Sequence, residues 1–222
     1  MKPLLVFDVN ETVLRVDALQ PEFTRVFGDP NVMKEWFDAL VLYSQTVTLI
    51  DSYQDFSTLA EQALEMVAAA KGVVIKGEDK RTILQNMLAL PAHSEVSAAL
   101  EKLHAAGFRL AALTNSNHKA AETQLANAGI RHLFERVLSV DAVRKFKPAP
   151  ETYAYAGSEL KAAPGEMVLI AAHPWDILGA IRTGLRGAFI RRSGKAWFET
   201  TLRPEFIAAD LAELTTQLLA AS

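Results

Sequence analysis

The sequence predicts an α/β protein: a parallel sheet covered by helices, with a helical insert after the first strand. Three observations carry this prediction. Leu4-Leu5-Val6-Phe7 is an unbroken apolar run that ends on Asp8, the pattern of a strand buried on both faces. Residues 15–92 show helical periodicity and no convincing strand. From Ser94 onward helix and strand alternate with short connections, as parallel strands joined by right-handed crossovers require.

In the insert a helix is expected over roughly Val32 to Ser44. Phe56, Leu59, Ala60, Ala63, Leu64 and Val67 then recur at i, i+3, i+4 spacing, the apolar face of a second helix. Asp55 or Ser57 is suited to cap its start, and Gly72 stands where a C′ residue belongs. A third helix is expected from Glu78 to Leu90, stopped by Pro91, which has no N–H to continue the ladder. In the alternating half, Val96, Leu100 and Leu103 mark a helix ended by Gly107. Arg109 to Leu113 reads as a strand running into Thr114-Asn115-Ser116-Asn117, and Lys119 to Ala128 as a helix. Arg136 to Val140 is a short strand and Pro150 to Leu160 a helix. Met167 to Ala172 is another buried strand, followed by His173-Pro174-Trp175-Asp176 and a helix to Thr183. Arg186 to Ile190 is expected as a strand and Leu211 to Leu219 as the closing helix. The implied division is a core of residues 1–14 and 93–222 and a helical insert of residues 15–92.

At 222 residues the chain can bury a sizeable core, as one domain or as a core with a smaller insert. A formal net charge of −3 supplies no basic field for nucleic acid and no polybasic membrane patch. The absence of cysteine excludes disulfides, thiolate catalysis and cysteine-bound metals. No apolar run approaches the roughly 20 residues of a membrane span, and the N-terminal one meets Asp8 too soon for a signal peptide. The expected setting is therefore the cytoplasm.

Four expected strand ends carry polar groups: Asp8 with Thr12, Thr114 with Asn115, Lys147 just before Pro148, and Asp176. In open α/β sheets ligands bind beyond the carboxyl ends of the strands, so Asp8 projects into that crevice. An aspartate there is competent as a nucleophile, forming an ester that water later opens; the bland alternative is a turn cap. In this order and on this architecture, the groups resemble the haloacid dehalogenase-like hydrolase superfamily. Asp8-Val9-Asn10-Glu11-Thr12 looks like its nucleophile loop and Leu113-Thr114-Asn115 like its second motif. Lys147-Pro148 looks like the third and His173-Pro174-Trp175-Asp176 like the fourth. The correspondence covers nearly the whole chain and implies a Rossmann-like core with a helical cap. The closer resemblance is to the L-2-haloacid dehalogenase branch. It rests on Tyr153, on Trp175-Asp176, and on the cap segment from Trp36 and Tyr43 to Tyr53-Gln54-Asp55-Phe56.

The resemblance implies that Asp8 displaces a leaving group from carbon, with Lys147 keeping it ionised. The alternative for Lys147 is a solvated surface residue. Thr12 and Thr114 offer hydroxyls to a carboxylate, or stand as caps. Asn115 offers its amide to a leaving halide or a substrate oxygen, or shapes a turn. Asp176 orients Lys147, or holds a metal if one binds, or stands as a favourable acidic residue at a helix N-terminus. The partner implied is a small-molecule carboxylic acid surrounded by Thr114, Asn115, Asn10, Tyr153 and Phe37, with no cofactor and no metal. A homodimer is left open.

Three positions depart from the pattern. Phosphatases of the superfamily carry a second aspartate two residues after the nucleophile; here Asn10 cannot exchange a proton, so phosphoryl transfer and its magnesium are disfavoured. Phe37 stands where the dehalogenases have a cap arginine for halide and substrate, and Arg15 and Arg25 lie in the same insert as candidate substitutes. Ala171 and His173 stand where that branch usually has a serine and an asparagine. His173, directly after a buried strand, is suited to act as base for ester hydrolysis because imidazole titrates near neutrality. His118 is a weaker candidate, and His93, His104 and His132 read as surface or packing residues. Two other functions compete with hydrolysis at carbon: a magnesium-dependent phosphatase that uses another acid–base group, and a non-catalytic ligand- or partner-binding protein. The retained Asp8, Lys147 and Asp176 speak against the latter.

Overall fold

The computed structural model describes residues 2–221. Strands β1 (Leu4–Phe7), β2 (Leu110–Thr114), β3 (Arg136–Ser139), β4 (Met167–Ala171), β5 (Arg186–Ile190) and β6 (Phe206–Ala208) form one sheet. Its order is β3-β2-β1-β4-β5-β6, and every pairing is parallel. β1 lies in the middle, with Val6 opposite Ala111 of β2 and Leu169 of β4. Every residue of β1, β2 and β4 is buried, which is why these strands read as continuous apolar runs. The chain winds from β1 outward to β3, then returns to β4 and winds the other way. This reversal opens a crevice at the carboxyl ends of β1 and β4. β6, three residues at the sheet edge with Ile207 exposed, is too short to leave a period in the sequence.

Between β1 and β2 run α1 (Gln20–Phe27), α2 (Val32–Leu49), α3 (Phe56–Ala70) and α4 (Gly77–Asn86). α2 continues past Ser44 because its late β-branched residues are accommodated: the Thr46 and Thr48 hydroxyls donate back to the carbonyls of Leu42 and Ser44, and Val47 is buried. Asp55, rather than Ser57, caps α3, its carboxylate accepting from the N–H groups of Ser57 and Thr58. α4 ends at Asn86, and Met87–Ala89 tightens into a 3₁₀ turn before Pro91. Helices α5 (Val96–Ala105), α6 (His118–Asn127), α7 (Pro150–Leu160), α8 (Pro174–Arg182) and α9 (Leu211–Ala220) complete the α/β part. No helix among the described residues is long and apolar enough to cross a membrane.

The chain leaves and re-enters the sheet region at adjacent points. Leu14 and Ala92 form an antiparallel bridge, flanked by Arg15 N–H to Pro91 O at 2.8 Å and His93 N–H to Val13 O at 3.1 Å. Within the inserted helices Trp36 is fully buried and donates from Nε1 to Ala60 O at 2.9 Å, tying α2 to α3. The insert rests on the segment before α7: Phe146 N–H donates to Thr48 Oγ1 at 2.9 Å and its ring stacks on Tyr53 at 5.0 Å. Lys145 pairs with Asp51 at 2.7 Å. One continuous hydrophobic cluster joins the sheet to the inserted helices.

Candidate active site

Asp8 is the first residue past β1, and its N–H donates to Ile170 O at 3.0 Å, which fixes it at the carboxyl edge of the sheet. Lys147, fully buried, lies against Asp8 Oδ1 at 2.8 Å, Asp176 Oδ2 at 2.6 Å and Leu113 O at 3.0 Å. All three donors of the ammonium are thereby used. Thr12 donates to Asp8 Oδ2 at 2.6 Å and accepts the Ala172 N–H at 2.9 Å. His173 precedes α8 and brings Nε2 to 3.9 Å from Asp8 Oδ2 and 3.4 Å from Glu11 Oε2. Its ring stacks on Trp175 at 4.9 Å.

The electrostatics favour a charged Asp8 beside a neutral imidazole. Burial pushes the Asp8 carboxyl up, but the Lys147 charge, the His173 ring when protonated, and the hydrogen bonds from Lys147 and Thr12 hold it below the ordinary value. Burial opposes the Lys147 charge, yet Asp176 and Asp8 keep the ammonium above the ordinary lysine value. Asp176 is pushed up by burial, and by Asp8, against Lys147 and the Tyr153 hydroxyl. Asp8 is thus the more firmly ionised of the two carboxylates. Burial lowers His173, with Lys195 acting in the same sense, against Asp8, Glu11 and Asp176. The ring is neutral at pH 7 and able to take a proton.

A family model described as haloacid dehalogenase-like hydrolase matches residues 3–184. The chain belongs to the haloacid dehalogenase-like hydrolases. It is similar to (S)-2-haloacid dehalogenase 2 of Pseudomonas sp. (strain CBS-3), with 27% identity over 220 residues, 98% of this chain and 96% of that protein. The solved L-2-haloacid dehalogenase of Xanthobacter autotrophicus is 25% identical with a TM-score of 0.92, covering 100% of both chains. A structure of that enzyme with chloropropionic acid covalently bound shares the fold at 23% identity and a TM-score of 0.92.

Tyr153, expected around the substrate, is fully buried, and its hydroxyl donates to Asp176 Oδ1 at 2.6 Å, so it positions that carboxylate. Asn10, expected there too, has its carbonyl and one amide hydrogen engaged within the protein. Its Nδ2 donates to Ser116 Oγ at 3.1 Å, and its Oδ1 accepts from Gln124 Nε2 at 3.2 Å. Gln124 also donates to Met87 O at 2.7 Å, so Asn10 belongs to a tie between the first loop, the loop after β2 and the returning insert. Thr114 shapes its turn by accepting the Ser116 N–H at 3.1 Å, which leaves its own O–H to give. Asn115 accepts the Lys147 N–H at 3.1 Å and keeps its amide hydrogens for a ligand. Phe37 is buried with its ring edge-on to Trp36 at 6.1 Å, a wholly apolar contact. Both candidate arginines are paired within the protein: Arg25 with Glu22 and Asp79, and Arg15 with Asp17. His118 is exposed on α6, 4.0 Å from Glu122.

Three charged neighbours, Glu11, Lys195 and Arg192, were not marked as site residues by the sequence. Glu11, inside the nucleophile loop, has φ 63°, a left-handed conformation costing about 1–2 kcal/mol for an L-residue. Its Oε2 accepts from Lys195 Nζ at 2.6 Å. Arg192 donates from Nε and Nη2 to Thr12 O at 3.1 and 2.8 Å and pairs with Glu95 at 2.6 Å, which pins the nucleophile loop from outside. A charge within the loop was the signal for Glu11; no motif marks Lys195 or Arg192.

Asp8 and Asp176 turn one oxygen each toward the Lys147 ammonium, their other oxygens accept from Thr12 and Tyr153, and the Asn10 carbonyl accepts from Gln124. At position 10 magnesium, which takes octahedral oxygen ligands, meets a neutral amide in place of a carboxylate.

Proposed function

We propose that this chain hydrolyses the carbon–halogen bond of a small 2-haloacid or a related carboxylic acid through an ester on Asp8, without metal or cofactor. The observation that carries this reading is Asp8 itself, held ionised between Lys147 and Thr12 with no acid at position 10. An Asp8 oxygen attacks the carbon in line, and the carbon–halogen electron pair departs with the halide. The amide hydrogens of Asn115 and the hydroxyl of Thr114 are the donors offered to the halide and the substrate carboxylate. Water then attacks the Asp8 carboxyl carbon while His173 Nε2 takes its proton. Lys147 and Thr12 oppose the charge that grows on the carboxyl oxygens. Collapse breaks the bond to the substrate oxygen, the His173 proton passes to the departing hydroxy acid, and the proton left on the Asp8 carboxyl is released to solvent, which restores the carboxylate. Residues 15–92 act as a cap: Asp8 is only 5% exposed, so exchange requires cap or loop motion.

The test is a single turnover in heavy-oxygen water with enzyme in excess. Label should enter the Asp8 peptide, and label found only in product would establish direct attack by water. A panel of 2-haloacids and phosphate esters, with and without magnesium, should give metal-independent halide release. Magnesium-dependent phosphate release would put the phosphatase in its place.

A further inference from the structure

A cavity of about 240 Å³ adjoins the site, lined by Glu11 and Lys195 together with Arg15, Lys34, His93 and Arg192. Each of its four cations is paired: Arg15 with Asp17, Lys34 with Asp38, Arg192 with Glu95 and Lys195 with Glu11. Three of those carboxylates have a single cationic partner among the described residues. Glu11 is different, because the Oε2 that accepts from Lys195 at 2.6 Å also lies 3.4 Å from His173 Nε2. Lys195 is therefore the lining cation whose carboxylate partner keeps a second polar neighbour, the His173 imidazole, when a ligand draws the ammonium away. A further observation points the same way. Glu11 is held at φ 63°, and such strain in a non-glycine residue concentrates at functional sites.

We propose that this cavity binds a second carboxylate of the substrate, remote from the reacting carbon, and that Lys195 reads it. The preferred substrates are then halogenated dicarboxylic acids. This rests on the reading that Asp8 attacks carbon, and it names the class of acid. One released ammonium balances one carboxylate, whereas a phosphate dianion would ask for more. The cation that position 37 lacks is supplied from the segment after β5 instead. Once the substrate holds Lys195, Glu11 is left to stabilise the imidazolium formed as water opens the Asp8 ester, so a correctly anchored acid also speeds its own release.

The probes are glutarate and pentanoate, acids of equal length that have no leaving group. Calorimetric titration of the wild-type protein should show glutarate binding tighter by about tenfold or more, the worth of a charged hydrogen bond. Lys195→Met should abolish that preference and Lys195→Arg should keep most of it. In nuclear magnetic resonance titrations, glutarate but not pentanoate should raise the His173 midpoint. Equal wild-type affinities, or a preference that survives in Lys195→Met, would overturn the assignment; if that variant does not fold, the wild-type comparison decides alone. Halide release from 2-chloroglutarate and from 2-chloropropionate is measured on the same preparation. Its absence with both acids, together with a Lys195-dependent glutarate preference, would refute the chemistry and leave the cavity assigned, and the opposite pattern would do the reverse.

Discussion

Replacing Lys147 by methionine removes a buried ammonium and its three hydrogen bonds while keeping most of the side-chain volume. Asp8 and Asp176 would be left as like charges in a dry site. Removing one partner of a buried ion pair costs about 3–5 kcal/mol. At roughly 2–4 °C per kcal/mol for a chain of this size, Tm should fall by about 10 °C near pH 7. The pH dependence has a defined sign. In the wild type the folded pKa of Asp8 lies below its unfolded value, so its stabilisation is present above the ordinary carboxylate range and is lost as pH falls through that lower folded value. Without Lys147, burial is opposed only by Thr12 and His173, and the folded pKa rises above the unfolded one. The variant is then stabilised by protonation, and its deficit against wild type should narrow on acidification. Scanning calorimetry between about pH 5 and 8 reads this directly. Adding Asp176→Leu should recover part of the lost Tm and none of the halide release. A deficit under about 2 °C at neutral pH, less than 1 kcal/mol, or one that does not change with pH, would refute the reasoning.

The other predictions concern the groups around that pair. His173→Ala should slow ester breakdown by about 10²–10⁴-fold, so that an Asp8 adduct accumulates in the mass spectrum. Because burial holds His173 below its ordinary 6.5, wild-type kcat should stay level at neutral pH and fall only on further acidification, and this acid limb should vanish in the variant. Tyr153→Phe deletes the donor to Asp176 and should cost about 1–3 kcal/mol in urea unfolding, with kcat reduced more than KM is changed. Gly179→Ala places a Cβ 2.6 Å from Pro148 Cβ and 2.7 Å from Tyr153 Oη. It should destabilise by about 1–3 kcal/mol and, by displacing the Lys147-Pro148 turn, reduce halide release more than Tyr153→Phe does.

The sheet was legible because burial on both faces leaves an unambiguous mark: β1 and β4 are apolar throughout, β2 is apolar up to Thr114, and a polar group follows each within two residues. Asp8, Lys147, Asp176 and Thr12 could be placed for the same reason, since each follows a recognisable strand or sits beside a proline. Side-chain partners were less legible. Nothing in the local pattern around Asn10 discloses that Gln124, more than a hundred positions later, takes its carbonyl. Tyr153 has the same composition signature whether it faces a substrate or stands behind Asp176. Lys195 lies in a segment without helical or strand periodicity, so its approach to Glu11 is set wholly by tertiary structure. β6 was missed because three residues at a sheet edge are too few to show alternation.

With Leu14 bridged to Ala92, the two ends of the helical stretch stand one strand spacing apart, and everything between them closes as a loop. The entropy of such closure grows slowly, by about 0.6 kcal/mol for each doubling of length. Helices can be added to this stretch, shortened or rebuilt at small conformational cost, while Asp8, Lys147 and Asp176 keep the spacing that the sheet imposes. Natural variation can therefore remodel the roof over the crevice without disturbing the bond-breaking groups beneath it.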